Sequence, residues 1–189
     1  MALTAAERRL LLGYLEVLDR WNRGMNLTSL GPDARVRRLV AEPLWVATQL
    51  RPAGHYLDIG TGNGSPAVPW CMHCGFSSCE FVESRARRAV FLEFLVRKLP
   101  LERCVVHTAR FPEAQTALRP PDWVTLQGVR LDAALLRRIR SLNPDARVVW
   151  LSRGPALPEP PARRLQIPGS DREALVFGPP PPDLPSGRA

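Results

Sequence analysis

At 189 residues, with 45% hydrophobic and 23% charged side chains, the chain is sized and composed for one globular domain. Disordered, collagen-like, coiled-coil and disulfide mini-protein classes are excluded by the same figures. The formal charge of +8 suits a polyanionic partner such as nucleic acid, while the lack of any apolar run of about 18 residues predicts no membrane span.

Thr4 with Glu7 three residues on is a capping box. Leu11, Tyr14, Leu15, Leu18 and Trp21 then recur at helical spacing and predict a first helix of about five turns, ended by Gly24 and Asn26. A second helix follows Gly31-Pro32-Asp33, with Asp33 as its cap and Val36, Val40, Leu44 and Ala47 on one face. Pro43 inside it predicts a kink.

From residue 55 the texture changes. Residues 55–59 read as a strand that runs into Gly60-Thr61-Gly62-Asn63-Gly64, and a helix follows with Pro66 near its first turn. Residues 80–83 predict a second strand, and 85–98 a helix with Val90, Phe91, Phe94 and Leu95 inward. Further strands are predicted at 104–107, 123–126 and 147–151, a helix at 131–141, and a closing hairpin from 165–167 and 174–177. Strands alternating with helices predict an α/β fold, a parallel sheet covered on both faces. Residues 1–177 are read as one domain, with helices over 1–50 and the sheet core over 51–177, and 178–189 as a disordered Pro-rich tail.

The arginines are spread along the chain and Lys98 is the one lysine, a composition that a GC-rich genome also produces. The charge therefore supports RNA binding without establishing it. Of the four cysteines, Cys71, Cys74 and Cys79 are close together and Cys104 stands apart. C-x2-C-x4-C can begin a metal site, but zinc sites usually want two matched pairs. Reduced packing thiols, with no metal, are the expectation for a cytosolic protein. The first dozen residues hold no signal-peptide pattern, so the expected compartment is the cytoplasm.

Residues 57–64, Leu-Asp-Ile-Gly-Thr-Gly-Asn-Gly, carry the most chemistry. Glycines let backbone turn sharply off a strand and approach a ligand closely. The dinucleotide fingerprint wants a glycine where Ser65 stands, which disfavours a nicotinamide enzyme. An acid, Asp58, precedes the first glycine instead, as in the S-adenosylmethionine loop of Rossmann-like methyltransferases. Glu83, at the end of the second strand, can take both ribose hydroxyls of such a cofactor, or it can cap the helix that begins near Arg85.

Trp21-Asn22-Arg23-Gly24-Met25-Asn26-Leu27-Thr28-Ser29, the loop from Leu57 to Pro69, Val82-Glu83-Ser84 and Arg87-Arg88-Ala89-Val90-Phe91-Leu92 follow in order. Together they resemble the bacterial 16S rRNA guanine-N7 methyltransferases, the family also called glucose-inhibited division protein B, over nearly the whole chain up to about Phe177. The resemblance implies a Rossmann-like seven-stranded methyltransferase sheet with an N-terminal helical extension, S-adenosyl-L-methionine as cofactor, and 16S rRNA or the small ribosomal subunit as partner of a monomer. It implies cofactor contacts from Asp58, Gly60, Gly62, Gly64, Ser65 and Glu83, from Phe111 and Pro112 after the third strand, and from Gln127. Asn26, Ser29 and Gln127 are the positioning candidates, and no catalytic base is required. Arg23, Asn26, Arg37, Arg38 and Arg153 are candidates for holding RNA.

Some positions depart from the family. Leu39, Glu42 and Pro43 stand where it has a His and then Asp-Ser. Leu126, Gln127 and Gly128 stand for its Ser-Arg-Ala, and an amide does not replace a fixed planar cation. A divergent member that binds the cofactor but has another substrate, or no activity, is therefore the alternative expectation.

Overall fold

A computed structural model describes residues 3–154 and 156–179; most of the tail expected to be disordered, from residue 180 on, lies outside the described residues. Helix α1 spans Ala5–Met25. Its capping box forms as expected: Glu7 N–H donates to Thr4 Oγ1 and Thr4 N–H to Glu7 Oε2, at 3.1 and 2.8 Å. Asn26 ends it in the left-handed region, φ 49°.

The second helical segment runs as α2 (Pro32–Arg35), a six-residue π-helical stretch (Val36–Ala41) and α3 (Glu42–Leu50). Gly31, not Asp33, is the cap, because the fixed φ of Pro32 starts the helix two residues earlier. Pro43 does not break the helix. It has no N–H to give, and the ladder just upstream opens into i→i+5 bonds, with Glu42 N–H donating to Arg37. The wider turn also upsets the face count. Val40, Leu44 and Ala47 are buried, but Val36 is 50% exposed.

Seven strands form one sheet in the order β3-β2-β1-β4-β5-β7-β6. They are β1 (Gly54–Ile59), β2 (Phe76–Glu83), β3 (Cys104–Thr108), β4 (Trp123–Gln127), β5 (Arg147–Ser152), β6 (Arg163–Gln166) and β7 (Glu173–Phe177). The first five are parallel; β7 is antiparallel between β5 and β6. Helices α4 (Ala67–His73), α5 (Ala86–Lys98), the short α6 (Phe111–Ala114) and α7 (Ala133–Leu142) make the connections. Strand β2 begins at Phe76, four residues before the expected start, because its first half pairs with β1 without the apolar alternation that marks a strand in sequence.

Two apolar clusters cover the two faces. Tyr14, Leu18, Tyr56, Trp70, Phe81 and Phe91 belong to one, and Leu57, Ile59, Val124, Leu126, Leu136 and Ile139 to the other. On α5 the inward residues are Ala89, Phe91, Leu92 and Leu95, and Phe94 packs on Trp21 with ring centroids 5.3 Å apart. Val90 is half exposed, contrary to expectation, since it lies between the inward positions 89 and 91–92 on the helix's outer edge.

The N-terminal helices are tied to the β6–β7 hairpin. Arg172 donates through Nε and Nη2 to Glu42 Oε2, the first at 2.8 Å, and through Nη2 to the Arg38 carbonyl at 3.0 Å. Leu39 is buried, and the Pro43 carbonyl accepts from Trp70 Nε1 at 2.9 Å. All three positions that depart from the family's polar pattern thus serve packing or an internal ion pair.

The cysteines are not grouped by their sequence spacing. Cys104 is the register partner of Cys79 across β2 and β3 and joins Cys71 there, and Cys74 is left out of the group.

Candidate active site

The strand order reverses between β1 and β4, and in open α/β sheets ligands bind beyond the carboxyl ends of the strands at such a point. Ile59 is the register partner of both Val82 and Leu126, so the chain segments that follow all three strands emerge at one edge. A crevice of about 340 Å³ opens there. It is lined by residues 60–63 and Ser65 after β1, by Glu83, Ser84, Arg85 and Arg88 around the start of α5, by Gln127, Gly128 and Val129 after β4, and by Leu27 from the linker behind α1.

The loop after β1 is built by its glycines. Gly60 has φ 77°, and a Cβ there would stand 2.3 Å from Val129 Cγ2. Gly60 N–H donates to the Val82 carbonyl at 2.8 Å, and Gly62 N–H donates to Glu83 Oε2 at 2.9 Å. Glu83 Oε1 accepts from Arg85 N–H at 2.8 Å. This buried carboxylate therefore fastens the glycine loop to the start of α5, and each oxygen keeps a lone pair for a ligand. Tyr14 reaches from α1 to donate to the Asn63 carbonyl at 3.0 Å. Two polar atoms at the crevice are buried without a partner among the described residues: Ser65 Oγ and Gln127 Oε1. Buried polar atoms are ordinarily hydrogen-bonded, so these two suit a ligand that brings its own groups.

The structure brings Gly60, Gly62, Ser65, Glu83 and Gln127 together at this crevice and leaves other expected residues outside it. Gly64 is a packing glycine: a Cβ there would stand 3.1 Å from the Tyr14 ring and 3.2 Å from Val68. Phe111 is in the core cluster and Pro112 is exposed; neither lines the crevice. Asn26 lines a neighbouring groove with Arg85, Arg87 and Arg88. Ser29 and Arg37 are exposed, and Arg23 pairs at the surface with Asp19. Arg38 and Arg153 converge on Asp171, at 2.8 and 3.1 Å. In the Trp-Asn-x-x-x-Asn-Leu-Thr stretch the working contact is Asn22, which clamps Thr28 through two side-chain bonds of 3.0 and 2.8 Å. Arg88, which sequence reasoning did not place at the cofactor loop, lines the crevice beside Gly62 and Glu83 because it sits in the first turn of α5.

Asp58 points to the buried face below the loop. Its Oδ2 accepts from Thr125 Oγ1 and from the Tyr56 hydroxyl, and it does not line the crevice. Burial pushes its carboxyl up to about 6, against hydrogen bonds that pull it down. The native state thus holds this proton more tightly than the unfolded chain, so its contribution to stability falls as pH rises from 3.8 to about 6 and is constant above. Asp58→Asn is expected to remove that decline. Urea denaturation at several pH values should show the variant gaining on the wild type across this window and not beyond it; parallel curves would contradict the placement.

A family model described as rRNA small subunit methyltransferase G matches residues 7–149. The protein of that name from Sodalis glossinidius is 33% identical over 103 residues, 54% of this chain and 50% of the relative. The one from Laribacter hongkongensis is 28% identical over 186 residues, 92% of this chain and 88% of the relative. The chain spans about half the length of several curated relatives it matches. Among solved structures, an O-methyltransferase from Bacillus cereus in complex with SAH superposes with a TM-score of 0.53 at 16% identity, over 74% of this chain and 66% of that one. This last likeness concerns the fold, a Rossmann-like methyltransferase sheet.

Proposed function

The chain belongs to the rRNA small subunit methyltransferase G family, and from that premise we propose that it transfers a methyl group from S-adenosylmethionine to N7 of a guanine in the decoding-region loop of 16S rRNA. The observation that carries the reading is the crevice at the β1/β4 switch point, with the Glu83 carboxylate on one wall and the unpartnered Ser65 Oγ and Gln127 Oε1 on the others.

The residues present fit this cofactor. Glu83 has free lone pairs for the two ribose hydroxyls, and the backbone at Gly60 and Gly62 carries no side chain where a ligand approaches. Gln127 Oε1 and Ser65 Oγ can each take up a polar group of the bound molecule. When bound, S-adenosylmethionine supplies an electrophilic methyl on a sulfonium centre.

Guanine N7 is an aromatic lone pair with no proton to lose, so the chain needs no general base. Its work is to align donor and acceptor and to hold charge that moves onto the base. Arg88, at the rim beside Glu83, is a cation that can face that charge or an RNA phosphate. Asn26 and the neighbouring Arg87 border the adjoining groove, on the side from which a base would enter. We assign Arg38 and Arg153, joined on Asp171, to the RNA-facing rim. We further propose that it works as a monomer in the cytoplasm, where its rRNA substrate would be. No helix among the described residues is long and apolar enough to cross a membrane.

Incubation of small-subunit rRNA with the protein and S-adenosylmethionine should produce N7-methylguanosine, read as strand cleavage after borohydride and aniline. The rate should fall as salt screens phosphate contacts and stay flat through the range where histidine titrates. Gln127→Arg should raise it. Tight cofactor binding with no cleavage from either protein would instead favour the divergent member, for which the altered Leu39, Pro43 and Gln127 speak.

A further inference from the structure

Cys79 and Cys104 are register partners, so their side chains leave the same face of the sheet, and α4 lays Cys71 over that face. The three sulfurs lie within 4.8 Å of one another, and each residue is at most 5% exposed. Cys74 is outside this group and half-buried.

We propose that Cys71, Cys79 and Cys104 form a trithiolate site for a divalent thiophilic cation of the zinc class, pinning α4 to β2 and β3. Zinc–sulfur bonds of about 2.3 Å in a tetrahedron set sulfurs about 3.8 Å apart, so closing on the ion takes a contraction of at most about 1 Å. Three protein ligands leave the fourth position of the tetrahedron to a small non-protein ligand such as water. Packing alone does not account for the group. A buried thiol behaves as a small hydrophobe with only a weak S–H donor, yet three of the chain's four cysteines converge from α4, β2 and β3.

Charge selects a divalent ion. Three thiolates with a monovalent ion leave two negative charges in the core, and with a divalent ion one, and buried net charge is costly. Arg103, next to Cys104 and held by its Nη1 bond of 2.6 Å to the Phe76 carbonyl, supplies a cation to offset that one. Along β2 the group lies four residues before Glu83, about 13 Å from it. Its role is therefore to cross-link the fold, and it is independent of the proposed methyl transfer.

Reduced full-length protein titrated anaerobically with Cd²⁺ should develop a thiolate-to-metal charge-transfer band that saturates at one equivalent, with a rise in thermal midpoint. Zinc analysis after reconstitution should likewise find one ion per chain. Cys74→Ser should retain the band, and Cys79→Ser and Cys104→Ser should each lose at least tenfold in affinity, their folding checked by circular dichroism. The wild-type titration carries the test if those variants do not fold. A reduced wild type without a stoichiometric band overturns the proposal. So does a band whose affinity is unchanged by Cys104→Ser in a folded protein, or one that disappears in Cys74→Ser.

Discussion

Glu83→Ala is expected to weaken S-adenosylmethionine binding by about 1.5–3 kcal/mol, roughly ten- to a hundredfold, by removing a charged hydrogen-bonding group. The structure adds a second loss. Glu83 is the acceptor for Gly62 N–H and Arg85 N–H, so the variant strands two backbone donors and unfastens the glycine loop from α5. Stability should therefore fall as well, by about 1–3 kcal/mol. Glu83→Gln keeps one acceptor and should lie between the two. Gly60→Val, at φ 77° and against Val129, should block binding by deforming the same loop. Isothermal calorimetry with the cofactor, set beside urea denaturation, separates the two effects. Unchanged affinity in Glu83→Ala and Gly60→Val would place the cofactor elsewhere.

Arg172→Ala is expected to cost about 3–5 kcal/mol of stability, because it leaves the Glu42 carboxylate buried without a counter-ion. Glu42 is 3% exposed and its Oε1 has no partner among the described residues, so Oε2 and Arg172 carry the compensation there. Such a loss is a large part of the roughly 5–15 kcal/mol that holds a domain of this kind. Replacing the pair by Glu42→Leu with Arg172→Met should recover most of it, since well-packed apolar residues can substitute for a buried ion pair. Guanidinium denaturation of the two variants beside the wild type is the measurement. A single-variant loss below about 1 kcal/mol would mean that water reaches the pair and that it is a surface bridge in effect.

The parts of this molecule that were legible in its sequence are those governed by local pattern. The capping box at Thr4, the alternation of strands and helices, and the glycine turn after β1 are each written in a few adjacent residues, and they suffice for the fold class and for the edge of the sheet where a ligand would sit. What pattern does not carry is where side chains meet across the fold. Asp58 reads as a cofactor contact near the end of the first strand, but strand alternation turns it to the face opposite Leu57 and Ile59, into the reach of Thr125. Val36 fits a helical face at 3.6 residues per turn and loses it to a π-helical stretch. Cys104 is 25 residues from Cys79 by number, and only the β2–β3 register makes them neighbours. Gln127 was read by what it replaced; its buried, unpartnered oxygen is visible only once β4 is set beside β1.

The placement of β7 has a consequence for how the chain is made. Strand β7 is the last of these seven strands to leave the ribosome, yet it lies inside the sheet, between β5 and β6, and carries Arg172 just ahead of it to Glu42. Domains emerge and organise from the N-terminus during synthesis. For the interval in which residues 1–150 are out and 163–177 are not, β5 presents an open edge and Glu42 faces no cation. Until the hairpin arrives, the nascent chain has an unguarded strand that can pair with another chain and an N-terminal helical layer without its clasp. Early termination anywhere before residue 172 should thus yield an aggregating product rather than a smaller folded one.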